Sequence, residues 1–285
     1  MTPDPLFAVL ARARARLTEA GISEADATID VDLYARTILG WDKARLLVEQ
    51  PGPAPDSLEP TFTDWIERRL RREPSAYIVG QREFWGRDFI VTPAVLIPRP
   101  ETEFVVDEAI AHLRGVPAPR AADIGTGSGC IAIAVAVEVP AGQFTATDVS
   151  EEALSVARAN AARHDVTDRI QFVATSYLDG VEGGFHVITA NPPYVRDGDK
   201  PALAQSVRHE PEIALFGGAE GLRDIAGVLD AAATALLPGG WLVMEFGYGQ
   251  EPNVEMLVQA RPGLHLERTC ADLQGIARTA VIQRR

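Results

Sequence analysis

From about residue 99 onward, short apolar segments alternate with amphipathic helical ones, and this alternation constrains the fold more than any other feature of the chain. Ala121–Gly125, Phe144–Asp148, Ile170–Ala174, Phe185–Ala190, Trp241–Phe246, Leu264–Arg268 and Thr279–Gln283 read as strands. Helices are predicted near residues 101–114, 129–138, 150–163, 220–236 and 250–260. Strands joined through helices run parallel and are covered on both faces, so the pattern predicts an α/β fold built on a mostly parallel sheet. Ligands in such sheets sit at the carboxyl ends of the strands.

The first part of the chain has a different period. Leu6, Val9 and Leu10 recur at helical spacing, as do Ile29, Leu33 and Ile38. Ser23 before Glu24 and Asp26 reads as an N-cap with acids in the first turn, and Gly40 ends that helix. Pro51-Gly52-Pro53 is a break, and Trp65, Ile66 and Leu70 mark a further helix that stops before Pro74. In residues 81–98 aromatic and β-branched residues alternate with polar ones, with Gly86 at a turn, as in a β-hairpin linker. The expected organisation is a small helical domain over 1–80, the linker over 81–98 and the α/β domain over 99–285.

At 46% hydrophobic and 24% charged, the chain has globular composition, not that of a disordered one. No apolar run is long enough to cross a membrane, and the N-terminal segment has the wrong order for a secretory signal, so a cytoplasmic protein without membrane association is expected. The two cysteines, Cys130 and Cys270, make no disulfide framework, and the five histidines show no metal-ligand spacing; no metal is expected. The net charge of −13 argues against nucleic acid as a direct partner. The densest basic group, Arg68, Arg69, Arg71 and Arg72, reads as the solvated face of a helix.

Two motifs at predicted strand ends carry chemistry. In Asp123-Ile124-Gly125-Thr126-Gly127-Ser128-Gly129 the glycines allow a tight turn and a close approach of ligand to backbone. The spacing is neither that of dinucleotide binders nor that of phosphate loops. Asp148 ends the next strand, where a carboxylate accepts hydrogen bonds from ribose hydroxyls. A glycine loop with a strand-end acid and no phosphate cradle fits S-adenosylmethionine. Cys130, which opens the following helix within an apolar run, reads as a buried residue and not as a nucleophile.

The second motif is Asn191-Pro192-Pro193-Tyr194, after the fourth strand. An amide nitrogen is a poor nucleophile because its lone pair is delocalised. Two acceptors aimed at its N–H groups favour a localised lone pair. The Asn191 side-chain oxygen is one, and the Pro192 carbonyl, on a backbone fixed by two prolines, is the other. Tyr194 is expected to pack on the planar target group. Such catalysis needs positioning and preorganised dipoles, not a metal or strong base.

These motifs lie among others that together resemble the PrmC/HemK family, the protein-glutamine N5-methyltransferases of peptide chain release factors. The resemblance spans nearly the whole chain. It includes Glu73-Pro74, Tyr77-Ile78, Arg82-Glu83-Phe84-Trp85-Gly86, Leu96-Ile97-Pro98-Arg99-Pro100-Glu101-Thr102-Glu103, the glycine loop, Asn191–Tyr194 and Glu210-Pro211. The Asn-Pro-Pro-Tyr turn alone is shared with nucleic-acid amino-methyltransferases; the linker segments are far more specific. The resemblance implies a Rossmann-like methyltransferase domain with a mostly parallel seven-stranded sheet, preceded by a helical domain that helps hold the release factor. It implies that S-adenosylmethionine contacts Gly125, Thr126, Gly127, Ser128 and Gly129, with Asp148 on the ribose, Tyr177 near the adenine and Asn191 close by, leaving S-adenosylhomocysteine as product. The acceptor would be the glutamine of the Gly-Gly-Gln loop of class I release factors, gripped by Asn191, Pro192, Pro193 and Tyr194. Ser176 departs from the family, where many members carry an acid.

A monomer is expected. Glu210 is expected to bond locally to the backbone after the Asn-Pro-Pro-Tyr turn, and Arg99 and Glu101 to form an ion pair fixing the linker. Phe84, Trp85 and Phe89 read equally as cleft lining or as core. Rival functions for the same motifs are methylation of a ribosomal-protein glutamine and N6-methylation of adenine in nucleic acid, which the net charge disfavours.

Overall fold

The computed structural model describes residues 4–285; residues 1–3, which fall in the segment read as helical, lie outside it. The chain forms two compact units. One holds the residues up to Gly80 together with Gln205–His209, and the other holds Gln81–Ala204 and Glu210–Arg285.

The first unit contains α1 (Leu6–Glu19), α2 (Glu24–Leu39), α3 (Lys43–Glu49), α4 (Thr61–Leu70) and α5 (Ser75–Val79). The Ser23 hydroxyl caps α2 by accepting from Asp26 N–H at 3.0 Å, and Gly40 closes it in the left-handed conformation. Leu6, Leu10 and Leu17 of α1 pack with Val31 and Tyr34 of α2 and with Phe62 and Ile66 of α4. Of the arginine group at the end of α4, Arg71 is exposed, but the other three are tied down. Arg68 forks onto Glu73 (2.9 and 2.5 Å), Arg69 donates to the buried Asp30 (2.6 Å), and Arg72 donates to the carbonyls of Ala20 and Gly21. Helix ends and a buried acid absorb these charges, a use that linear spacing does not display.

The second unit opens with a hairpin, β1 (Gln81–Phe84) and β2 (Arg87–Ile90). Trp85 and Gly86 both have positive φ (54° and 66°), as a two-residue turn of this hand requires. Phe84 and Phe89 meet edge to face at 6.0 Å inside the core, and Trp85 packs on the same cluster, so the aromatic trio is core and not cleft.

Then come α6 (Glu103–Leu113), β3 (Arg120–Ile124), α7 (Cys130–Glu138), β4 (Gln143–Asp148), α8 (Glu151–Arg163), β5 (Ile170–Ala174), β6 (Phe185–Ala190), α9 (Arg223–Ala235), β7 (Leu236–Glu245), α10 (Glu251–Gln259), β8 (Leu264–Ala271) and β9 (Ala277–Arg284). The sheet has seven strands in the order β5-β4-β3-β6-β7-β9-β8, with β9 antiparallel to both its neighbours. Alternation along each strand sorts the side chains by face. Ala121, Val187 and Val243 pack toward α6 and α7, whereas Ala122, Ile188 and Leu242 pack toward α9 and α10. β7 starts earlier than the sequence suggests, because its register jumps from Phe185↔Leu236 to Val187↔Trp241 and absorbs Pro238-Gly239-Gly240.

The chain runs outward from β3 to β5 and returns to place β6 beside β3, which makes the gap between those strands the switch point of the sheet. Ile124 and Ala190, the last residues of β3 and β6, are register partners. The glycine loop and the Asn-Pro-Pro-Tyr turn therefore leave the sheet side by side. Among the described residues no helix is long and apolar enough to cross a membrane.

Candidate active site

A cavity of about 280 Å³ opens above that switch point. One wall is the glycine loop, Gly125 to Ser128. The loop is held from below. The Thr126 amide donates to the Thr147 carbonyl (2.8 Å) and its hydroxyl to Asp123 (2.6 Å), while Thr189 donates to the other Asp123 oxygen (2.7 Å). Burial pushes the Asp123 carboxyl up to about 6 against the pull of these hydroxyls. Gly125 and Gly127 have positive φ, and no heavy atom lies within 4 Å of where a Cβ would stand, so a ligand can lie against bare backbone. Gly129 is different. It does not line the cavity, and a Cβ there would stand 2.8 Å from Ile133 and 3.2 Å from Ala157, so it is the packing contact of α7 against α8. Cys130 is buried and its thiol is pushed up to about 12 by that burial, which suits it for packing and not attack.

Asp148 stands at the next strand end. Its carboxylate accepts from Gly127 N–H (2.9 Å) and Ser150 N–H (3.0 Å), which fixes it at the cavity edge. Ser176 and Tyr177 line the same side. Tyr177 has φ of 49°, a conformation pinned by the Thr147 hydroxyl on its carbonyl (2.6 Å). Its own hydroxyl donates to Asp224 of α9 (3.0 Å), and burial followed by that charge pushes its pKa up to about 12. Asp224 thus brings an acid to the wall where Ser176 lacks one, from a helix about 50 residues further along the chain.

Opposite stand Asn191, Pro192 and Pro193. The Asn191 Nδ2 donates to the Thr102 hydroxyl (3.0 Å), which donates to Glu245 (2.6 Å). The Tyr194 hydroxyl donates to the other Glu245 oxygen (3.0 Å). Tyr194 does not line the cavity. Its ring packs against the core beside α9 and α10, which corrects the expectation that it lies on a planar target. Burial raises both the Glu245 carboxyl and the Tyr194 phenol. Gln250 straps the turn from behind, donating to the Tyr194 and Gly221 carbonyls (3.1 and 3.2 Å) and accepting from Gly247 N–H (2.8 Å).

The linker and the turn that follows it supply the remaining wall, through Leu96 and Pro98 and then Arg99 and Thr102. Arg99 pairs with Glu210 at 2.5 Å, and not with Glu101, and the other Glu210 oxygen accepts from Ile97 N–H at 3.1 Å. Glu210 is therefore a long-range latch between linker and loop, and not a local cap on the segment after Tyr194. Thr102, Glu245, Gln250 and Glu210 owe their roles to contacts far apart in sequence. Thr102 and Glu210 stand in motifs that carry the family resemblance, and Glu245 is marked as an acid closing the apolar run Leu242-Val243-Met244, whereas Gln250 has no local signal. No group of three or more His, Cys, Asp or Glu is arranged to hold a metal ion among the described residues.

Comparison with known proteins agrees with this layout. Residues 8–80 match the model of the PrmC N-terminal domain and residues 107–218 that of the methyltransferase small domain. In solved structures, the ribosomal protein L11 methylase of Lactobacillus delbrueckii subsp. bulgaricus aligns with a TM-score of 0.50 at 23% identity, covering 68% of this chain and 84% of its own. The hMettl16 catalytic domain, solved with an RNA hairpin of the MAT2A 3'UTR, aligns with a TM-score of 0.54 at 16% identity, covering 98% and 91%. Both likenesses are of fold. Sequence relatives are much nearer. The release factor glutamine methyltransferase of Bradyrhizobium diazoefficiens is 39% identical over 93% of this chain and 90% of its own. That of Coxiella burnetii is 38% identical over 90% and 91%, and that of Deinococcus radiodurans 39% over 86% and 87%. Relatives of this identity, each matched over more than four-fifths of both chains, show that the chain belongs to the release factor glutamine methyltransferase family.

Proposed function

We propose that this protein transfers a methyl group from S-adenosylmethionine to the side-chain amide nitrogen of the glutamine in the Gly-Gly-Gln loop of class I release factors. The observation that carries the reading is the register pair Ile124↔Ala190, which brings a glycine loop and an Asn-Pro-Pro turn into one cavity. The donor set suits the cofactor. Bare backbone at Gly125 and Gly127 accommodates a flat, close-lying ligand, Asp148 offers acceptors to ribose hydroxyls, and Tyr177 and Val149 offer apolar surface to a base. When bound, S-adenosylmethionine supplies an electrophilic methyl on a sulfonium.

The chain's residues do the rest. Asn191 Oδ1 and the Pro192 carbonyl accept the two N–H bonds of the glutamine amide, draw them out of plane and leave the lone pair facing the methyl. Pro192 and Pro193 hold that backbone rigid, so the acceptors need not reorganise during the reaction. The same oxygens keep accepting hydrogen bonds from the methylated nitrogen, which as a cation is strongly acidic and sheds one proton to water. Tyr194 acts behind the turn by anchoring Glu245. The helical unit carries exposed Phe7, Leu47 and Val48, apolar surface of the kind a protein partner covers, and we assign release-factor binding to it.

Mass spectrometry of a purified release factor, incubated with this protein and S-adenosylmethionine, tests the reading. One added methyl on the Gly-Gly-Gln glutamine is the expected result, and its absence from a factor in which that glutamine is alanine is the control. Equal labelling of both factors, or none of either, overturns the assignment.

A further inference from the structure

We propose that Glu245, acting through Thr102, is a positioning residue that decides which end of the Asn191 amide faces the substrate, and so selects an amide nitrogen over a carboxylate as the bound group. The inference rests on the reading of Asn191 as the acceptor of the glutamine amide.

The argument is one of hydrogen-bond direction. Glu245 closes β7 with 1% of its surface exposed, and Thr102 beside it has 2%. An ionised carboxylate accepts and does not donate, and the two hydroxyls aimed at Glu245 favour the ionised form against the burial that raises its pKa. Its two oxygens take the Thr102 hydroxyl at 2.6 Å and the Tyr194 hydroxyl at 3.0 Å, so neither oxygen turns away. The single Thr102 proton is thereby committed to Glu245. Toward Asn191, Thr102 Oγ1 is left as an acceptor only, and it takes the Nδ2 N–H at 3.0 Å. The opposite end of the amide, Oδ1, is then the end presented to the cavity. An acceptor there suits a group carrying N–H bonds and repels a carboxylate. With the chain reversed, Asn191 would present its NH₂ and suit a carboxylate or carbonyl instead. Tyr194 lies in the same turn as Asn191, so the turn that holds the amide also locks the carboxylate that orients it.

Three variants of the full chain test this, against release factor carrying either glutamine or glutamate at the acceptor position. Glu245→Met removes the acceptor, the Thr102 proton turns to Asn191 Oδ1, and the amide turns over. The expected result is a fall in kcat of about tenfold to a hundredfold and a loss of about tenfold in the preference for binding the glutamine form over the glutamate form, with S-adenosylmethionine affinity retained. A merely structural role lowers binding of both forms together and leaves their ratio alone, so an unchanged ratio in Glu245→Met overturns the proposal. Thr102→Val and Thr102→Ser keep the test open if Glu245→Met does not fold. Loss of preference in Thr102→Val with retention in Thr102→Ser supports the relay, and a wild-type ratio in Thr102→Val overturns it. Failure of the wild-type protein to methylate the glutamine form overturns the substrate reading itself. Wild-type methylation with unmoved ratios overturns the relay alone.

Discussion

Asn160 donates its side-chain N–H to the Ser128 carbonyl at 2.8 Å, tying α8 directly to the glycine loop. The same amide accepts from Ile90 N–H (2.7 Å) and donates to the Ile90 carbonyl (3.0 Å), so one fully buried side chain joins hairpin, helix and loop. Replacing it with alanine leaves three backbone groups without partners. The expected cost of Asn160→Ala is about 2–4 kcal/mol, together with weaker S-adenosylmethionine binding. Denaturant unfolding and calorimetric titration read the two effects; a wild-type midpoint would show that Ser128 does not depend on this side chain.

Asn191→Ala removes the acceptor and leaves the cofactor wall intact. Turnover is expected to fall about a hundredfold to a thousandfold, with the Kd for S-adenosylmethionine changing by about threefold at most. Single-turnover methyl transfer separates the two quantities. Retained turnover would remove Asn191 from the chemistry.

Two glycines of one loop are expected to fail for different reasons. Gly127→Ala meets open space, so only its φ of 55° opposes a Cβ, and it costs about 1–2 kcal/mol. Gly129→Ala adds the clash with Ile133 and Ala157 to a φ of 81°, and is expected to lose about 2–4 kcal/mol. Thermal unfolding of the pair checks the order. Equal losses would mean that the α7–α8 contact yields freely.

Asp123 makes stability depend on pH. Its folded pKa of about 6 lies above the ordinary carboxyl value of 3.8, so the folded protein binds the proton more tightly than the unfolded chain. The stability from this proton is fully present below the unfolded value and is lost as pH rises through about 6. Asp123→Asn abolishes that slope. Relative to wild type, the variant is expected to gain about 2.4 kcal/mol between pH 4 and pH 7, whatever constant offset its altered hydrogen bonds impose. Urea unfolding across that range measures the difference, and parallel curves would place the titration elsewhere.

Much of the α/β unit is legible in the sequence because its signals are local. β5 and β6 keep the bounds read from their apolar runs, and the glycine loop and Asp148 stand at strand ends as alternation requires. What escapes is whatever depends on pairs distant in sequence. Arg99 looked toward Glu101 because the two are close in the chain, yet the sheet delivers Glu210 to it. Tyr194 looked like a stacking platform because it borders the acceptor turn, yet its hydroxyl is claimed by Glu245. Arg68 and Arg69 looked solvated because a charge run usually is, but Glu73 and Asp30 take them. In each case the side chain's identity was readable and its partner was not.

The pairing of Ile124 with Ala190 has a metric consequence. Adjacent strands stand about 4.8 Å apart, and the hydrogen-bond ladder does not let that spacing drift. The sheet therefore works as a ruler, with the glycine loop at one graduation and the Asn-Pro-Pro turn at the next. Loop substitutions can change what is held at either mark, but only a slip of β6 against β3 changes the gap between them, and such a slip turns every buried side chain of the strand to the wrong face.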